Sequence, residues 1–142
     1  NNSRDRVPGK WLGRWVKALN REVSKRGHKS LGRRELVCVF VTSAEMKRLN
    51  RQYRGKDYAT DVLSFDSMDA ASAGELVFCL PVIVRQSKRT GLSERGELGY
   101  MIVHGLLHLL GYDHETSAAD EAEMFALQDE IYARLEKSVG LR

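Results

Sequence analysis

The sequence predicts an α+β fold, a small mixed β-sheet packed with about five helices. Three observations carry this. Apolar stripes of helical period occupy both ends of the chain, short β-branched or apolar runs lie between them, and the two do not alternate as regular strand–helix–strand units. Nothing divides the 142 residues: there is no repeat, linker or low-complexity tract, so residues 1–142 are expected to form a single domain.

In chain order, Trp11, Leu12, Trp15, Val16, Leu19 and Val23 recur at helical spacing, and Gly27 is placed to end that helix. Residues 35–41 read as a buried strand. Thr42 and Glu45 have the spacing of a capping box, opening a short helix expected to bury Met46, Leu49 and Tyr53. A polar loop at residues 55–60 leads to a strand at residues 62–65. A loop of small residues, 69–74, precedes a third strand at residues 76–80. Pro81 suits the first turn of a helix reaching about Arg89. Gly91 breaks it, and Ser93 can cap a longer helix through Leu110, which Gly111 stops. A last helix over residues 117–137 turns Met124, Leu127, Ile131 and Leu135 inward.

Composition removes some function classes. The longest strong apolar run, residues 36–41, falls far short of the roughly 18 residues that span a bilayer. Residues 1–11 are polar and charged, unlike a secretory signal, so a cytoplasmic location without a membrane partner is expected. Cys38 and Cys79 each sit in an apolar run and read as buried free thiols, not as a disulfide framework. The net charge of +4 is uneven: residues 1–71 hold 16 Lys and Arg against 8 Asp and Glu, whereas residues 72–142 hold 7 against 11. A basic half suits a polyanion such as RNA, and charge alone is explained as well by solvated helix faces.

The chemistry gathers at residues 104–114, His-Gly-Leu-Leu-His-Leu-Leu-Gly-Tyr-Asp-His. On a helix, His104 and His108 project from one face, one turn apart. Gly111 can adopt a left-handed conformation that brings His114 to the same point. Three neutral imidazoles suit one zinc ion on a helix and the loop after it, with a fourth position open to water, whose pKa then falls to about 7. A lone histidine on an apolar face is usually an ordinary core residue. Here three of the chain's four histidines fall in 11 residues, and burying them without partners would be costly. His28, in a basic stretch, reads as solvated. Nickel, copper and iron(II) also accept imidazole, so the donor set alone does not select zinc. The spacing is similar to the metzincin peptidase frame, but Gly105 stands where a peptidase has its general-base Glu, which argues against proteolysis.

Residues 104–114 resemble the signature of the YbeY family of bacterial endoribonucleases involved in ribosomal RNA maturation. Residues 49–65, Leu-Asn-Arg-Gln-Tyr-Arg-Gly-Lys-Asp-Tyr-Ala-Thr-Asp-Val-Leu-Ser-Phe, are similar to a second stretch of that family. Residues 74–79, Gly-Glu-Leu-Val-Phe-Cys, are similar to a third. Ala59 replaces the family's usual proline, and Glu75 its usual Asp. The resemblance implies that His104, His108 and His114 hold one Zn2+ per chain and that Arg54 is a catalytic residue. It also implies a zinc-dependent, single-strand-specific endoribonuclease acting in 16S rRNA 3′ end maturation and ribosome quality control. The partners would be ribosomal RNA and the small ribosomal subunit, not DNA.

A guanidinium pairs with phosphate in a fixed fork, which suits Arg54; the alternative is a surface ion pair with Asp57. Arg48, Arg51 and Lys56 are candidates for an RNA backbone path. Asp61, Glu75 and Asp113 are candidates for holding the second nitrogen of a ligand imidazole. Two other readings stay open: a zinc hydrolase of a non-RNA substrate, and a ribosome assembly factor whose zinc is mainly structural. No fourth Cys or His lies near the motif, which argues against a closed structural site.

Overall fold

The computed structural model describes residues 8–26, 30–112 and 117–141. Its elements are α1 (Gly9–Lys25), β1 (Glu35–Phe40), α2 (Ser43–Arg54), β2 (Val62–Phe65), β3 (Ser72–Phe78), α3 (Leu80–Thr90), α4 (Glu94–Leu109) and α5 (Ala118–Ser138). The strands form one mixed sheet in the order β1-β3-β2, with β1 parallel and β2 antiparallel to the central β3. This is the expected α+β class with its five helices.

The alternation of side chains along β3 divides the interior in two. Leu76 and Phe78 join the large cluster built with α1, α4 and α5, whereas Val77 packs with Met46 of α2 and Leu63 of β2. Helix α4 is apolar nearly all round because it lies at the centre of the larger cluster. Its Leu98, Ile102, Val103, Leu106 and Leu107 are buried, each contributing roughly 1.5–3 kcal/mol.

Missing side chains let its neighbours approach that closely. A Cβ on Gly99 would stand 2.7 Å from the Trp15 ring, and one on Gly105 would stand 2.8 Å from Leu76 Cδ2. Trp15 Nε1 donates to the Gly99 carbonyl at 3.0 Å across the first of these contacts. Gly105, the position of the metzincin Glu, is therefore where α4 packs on β3.

Local signals placed most helix ends. Thr42 Oγ1 accepts the Glu45 N–H at 3.2 Å, Ser93 Oγ that of Gly96 at 3.0 Å, and Ser117 Oγ that of Asp120 at 3.0 Å. Pro81 lies in the first turn of α3, and Gly111 follows α4 with φ of 97°. Gly27, expected to end α1, and His28 lie outside the described residues; α1 itself ends at Lys25.

Some expectations change. The third strand is Ser72–Phe78, not residues 76–80. Ser72 and Gly74 pair with β1 across an irregularity between Glu35 and Leu36. Gly74 has φ of 131°, and a Cβ there would lie 2.5 Å from the Phe65 carbonyl oxygen. The end of the stretch read as a loop of small residues is thus strand, and at Gly74 the packing leaves no room for a side chain. Leu80 begins α3 instead of ending the strand, as the following Pro81 favours. Tyr53, expected inside, is 59% exposed and lies edge-on to Phe65 with ring centroids 5.0 Å apart. Strand β1 stops at Phe40, although Val41 is buried and donates its N–H to the Phe78 carbonyl at 2.9 Å.

Both cysteines are free, Cys79 buried and Cys38 half-buried. Burial pushes the Cys38 thiol up to about 11, so it stays protonated at neutral pH. No described helix is long and apolar enough to cross a membrane.

Candidate active site

A cavity of about 660 Å³ lies where α2, β2, α4 and α5 meet. His104 and His108 line it from α4, half-buried, with ring centroids 4.6 Å apart and planes at 65°. They are polar residues in the apolar second half of α4, one turn apart, which gives them the same side of it. His114 and Asp113 fall outside the described residues. Among those described, no three of His, Cys, Asp and Glu gather as a metal-binding group.

Gln128 of α5 completes this wall. It is 1% exposed, and its Oε1 lies 3.0 Å from His104 Nδ1. An amide oxygen only accepts, so Nδ1 is the donor and the lone pair of the neutral ring belongs to Nε2. That is the tautomer a metal ligand needs, with the other ring nitrogen tied to an acceptor. The observed arrangement therefore fits zinc through His104. Neither of the two described acids considered from the sequence, Asp61 and Glu75, holds this nitrogen. Asp61 turns on its own backbone, its Oδ1 accepting the Val62 N–H at 2.7 Å and the Thr60 hydroxyl at 3.2 Å. Glu75 sits on β3 in register with Val37 and Phe65. A signal for Gln128 was present: it is a polar residue in the inward stripe of Met124, Ile131 and Leu135.

Across the cavity stands Arg54, in the last turn of α2. It is exposed and, among the described residues, makes no ion pair, so the surface bridge to Asp57 is not formed. The segment after it is tied down from beneath by Asn50, which is fully buried in α2 and donates through Nδ2 to the Tyr58 carbonyl at 2.8 Å. Arg48, Arg51 and Lys56 are exposed but do not line the cavity. Four aromatic residues of the lining were not anticipated as site residues: Tyr53, Phe65, Tyr100 and Phe125, of which Tyr53 and Phe125 are large exposed apolar groups. Rings of this kind are platforms on which unpaired bases stack.

Tyr100, also in the lining, donates its hydroxyl to Asp129 Oδ1 at 2.7 Å. Burial first, and then this bond and the Asp129 charge, push its pKa up to about 12. It is a phenol throughout the physiological range and serves as a hydrogen-bonding group, not a base.

The endoribonuclease YbeY family model matches residues 1–136. The chain belongs to the YbeY family. Endoribonuclease YbeY of Bdellovibrio bacteriovorus is 47% identical over 144 residues, an alignment covering 100% of this chain and 96% of the relative. Endoribonuclease YbeY of Bordetella pertussis is 38% identical over 133 residues, covering 92% of this chain and 84% of that one. A Thermotoga maritima protein with a known solution structure superposes with a TM-score of 0.67 at 30% identity, covering 94% of this chain and 86% of the other. In this YbeY chain, the second resembling stretch, residues 49–65, forms the end of α2, the following loop and β2. Those elements are the wall opposite the histidines, so two of the three stretches meet across one cavity.

Proposed function

We propose that this chain is a zinc-dependent endoribonuclease that cuts single-stranded RNA in the maturation of ribosomal RNA, working in the cytoplasm as one domain over residues 1–142. The observation that carries the reading is the pairing of His104 and His108 with Arg54 across one cavity rimmed by exposed aromatic rings. His104, His108 and His114 are the ligands, and Gln128 orients the first of them. When bound, zinc supplies Lewis acidity, polarising a phosphate oxygen and raising the nucleophilicity of water at neutral pH.

The chain's own groups supply the rest. Arg54 offers a guanidinium fork, unpaired among the described residues, for the scissile phosphate and for charge developing on it. Tyr53 and Phe125 hold flanking bases splayed from a stack, which selects single strands over a duplex. Partners are then ribosomal RNA and the small ribosomal subunit.

The test is cleavage of single-stranded RNA by purified protein, stripped of metal and reconstituted with zinc, beside His108→Ala. The expected result is about one zinc per chain, activity lost on stripping and restored on reconstitution, and neither zinc nor cleavage in the variant. Reconstituted wild type that leaves RNA intact, or His108→Ala with full zinc occupancy, overturns the proposal.

A further inference from the structure

A second cavity, of about 530 Å³, adjoins the first. One side is residues 58–61 of the loop after α2; the other is α3, through Val82, Arg85, Gln86 and Arg89. Asp61 belongs to the lining of both cavities. The partition between them is therefore one short segment of chain, held at Tyr58 by the buried Asn50.

Arg85 and Arg89 are four apart on α3, which places them one above the other on the same face. Both are exposed and, among the described residues, neither makes an ion pair. A basic residue in the last turn of a helix is favoured by the helix dipole alone, which accounts for Arg89 but not for Arg85 a full turn earlier. The acids nearby are otherwise engaged. Asp61 accepts from Thr60 and Val62. Glu97, buried at 3% exposure, receives Gln86 Nε2 at 3.2 Å and Thr90 Oγ1 at 2.9 Å. These bonds also hold Gln86 in the cavity wall. Tyr58, 53% exposed, presents a ring at the same opening. Two unpaired guanidiniums beside an exposed ring are the elements of a nucleotide subsite, phosphate on the forks and base on the ring.

We infer that the second cavity binds a phosphodiester and base of the same RNA strand, outside the nucleotide being cut, with Arg85 and Arg89 on phosphate and Tyr58 stacked on a base. The inference rests on the proposed action on single-stranded RNA. It gives the strand a direction, from the Arg54 cavity over the segment at residues 58–61 to the face of α3. It also makes binding depend on length, because a fragment filling only the first cavity gains nothing from the second.

The experiment compares zinc-loaded wild type with Arg85→Gln/Arg89→Gln, Arg85→Lys/Arg89→Lys and Tyr58→Ala. Each is titrated by fluorescence anisotropy with a labelled single strand of about twelve nucleotides and with a trinucleotide, across a range of salt. For the long strand the Gln pair is expected to bind about tenfold or more weaker, and its slope of log K against log salt should fall by roughly 0.7 per phosphate lost. The Lys pair keeps the slope, and Tyr58→Ala weakens binding about tenfold with the slope unchanged. Trinucleotide affinity, zinc content and melting temperature stay at wild-type values, and in cleavage of the long strand KM rises while kcat holds. Wild-type affinity and slope in the Gln pair overturn the inference while leaving the proposed function intact. Equal weakening for both lengths overturns it too, placing these arginines in the first cavity. Wild type that binds and cuts no single strand at all removes the proposed function and this inference together.

Discussion

The two walls of the active-site cavity are built on opposite plans. The α4–α5 wall is cross-braced: His104 is tied to the buried Gln128, Tyr100 to Asp129, and Tyr100 packs edge-on against Tyr132 at 5.3 Å. Tyr132 in turn meets Trp15 at 5.8 Å, which stacks on Trp11 at 5.0 Å. This run of rings connects the histidine wall to α1. The α2 wall has a rigid base in Asn50 but ends in an exposed arginine and tyrosine. A metal ligand must be oriented before the metal arrives, because its tautomer and direction decide affinity. A phosphate-binding arginine can be ordered by the phosphate itself, so its exposure costs little until substrate is present. Substitutions in the first wall should therefore move stability and metal affinity, and those at the exposed end of the second should move RNA binding and rate.

The sharpest break of that contrast is Gly105→Glu, which restores the carboxylate of the peptidase frame. The position faces Leu76, with only 2.8 Å between a built Cβ and the Leu76 side chain, so a longer and charged group must displace β3 or α4. The expected loss is about 3 kcal/mol or more, from overpacking and a buried carboxylate without a partner. Chemical denaturation measures it. Wild-type stability in this variant would mean that the α4 wall is far more pliable than its packing implies.

Arg54→Ala tests the other wall. Zinc content and melting temperature should match wild type, while cleavage falls about a hundredfold or more, the scale of losing one preorganised donor. Arg54→Lys should recover only part of the rate, since an ammonium keeps the charge and loses the fork. This variant also separates the enzyme from an assembly factor with a mainly structural zinc. If catalysis is the cellular role, Arg54→Ala fails to complement a strain lacking the protein; if assembly is, complementation survives the lost cleavage.

Gln128 comes next in expected effect. Gln128→Leu keeps the volume roughly but removes the acceptor from His104 Nδ1, and zinc affinity should drop about ten- to hundredfold. Competition with a chromophoric chelator reads this without reference to activity. Gln128→Glu retains an acceptor and should keep most of the affinity. Equal weakening by both would make Gln128 a packing residue only.

These contrasts track what could be read from the sequence. Histidine spacing and serine or threonine caps are local, set by residues three or four apart, so α4, its cap and the shared side of His104 and His108 were legible. The Gln128 contact joins residues 24 apart on two helices, and only an interrupted apolar stripe hints at it. The start of β3 was read as a loop because Ser72, Ala73 and Gly74 look like turn residues; Gly74 answers Leu109 and the Phe65 carbonyl, which only the folded chain brings near. Tyr53 has helical spacing for burial, yet α2 ends at the cavity rim and leaves it outside. The second cavity is less legible still, since its arginines carry no motif and its two sides are more than 20 residues apart.

Tyr100→Phe should give the smallest effect, and it separates brace from chemistry. The variant keeps the ring contact with Tyr132 and loses the 2.7 Å bond to Asp129. At pH 8 that should cost about 1 kcal/mol of stability, the usual net worth of a single hydrogen bond. The pH dependence has a definite sign. The folded pKa is raised, from the ordinary 10 to about 12, so the folded state favours the neutral phenol. Its contribution is complete below about pH 10 and is lost as pH rises through about 12. The gap between wild type and variant should therefore be constant up to pH 10 and narrow above it. Tyr132, also pushed up to about 12, titrates in the same window but in both proteins, so it cancels in the difference. Denaturation midpoints of the pair at pH 8, 10 and 11 provide the measurement. Because a phenol in this state is no base, cleavage at pH 7 to 9 should change less than threefold. A larger loss of rate with unchanged zinc content would move Tyr100 from the brace into the group that touches substrate.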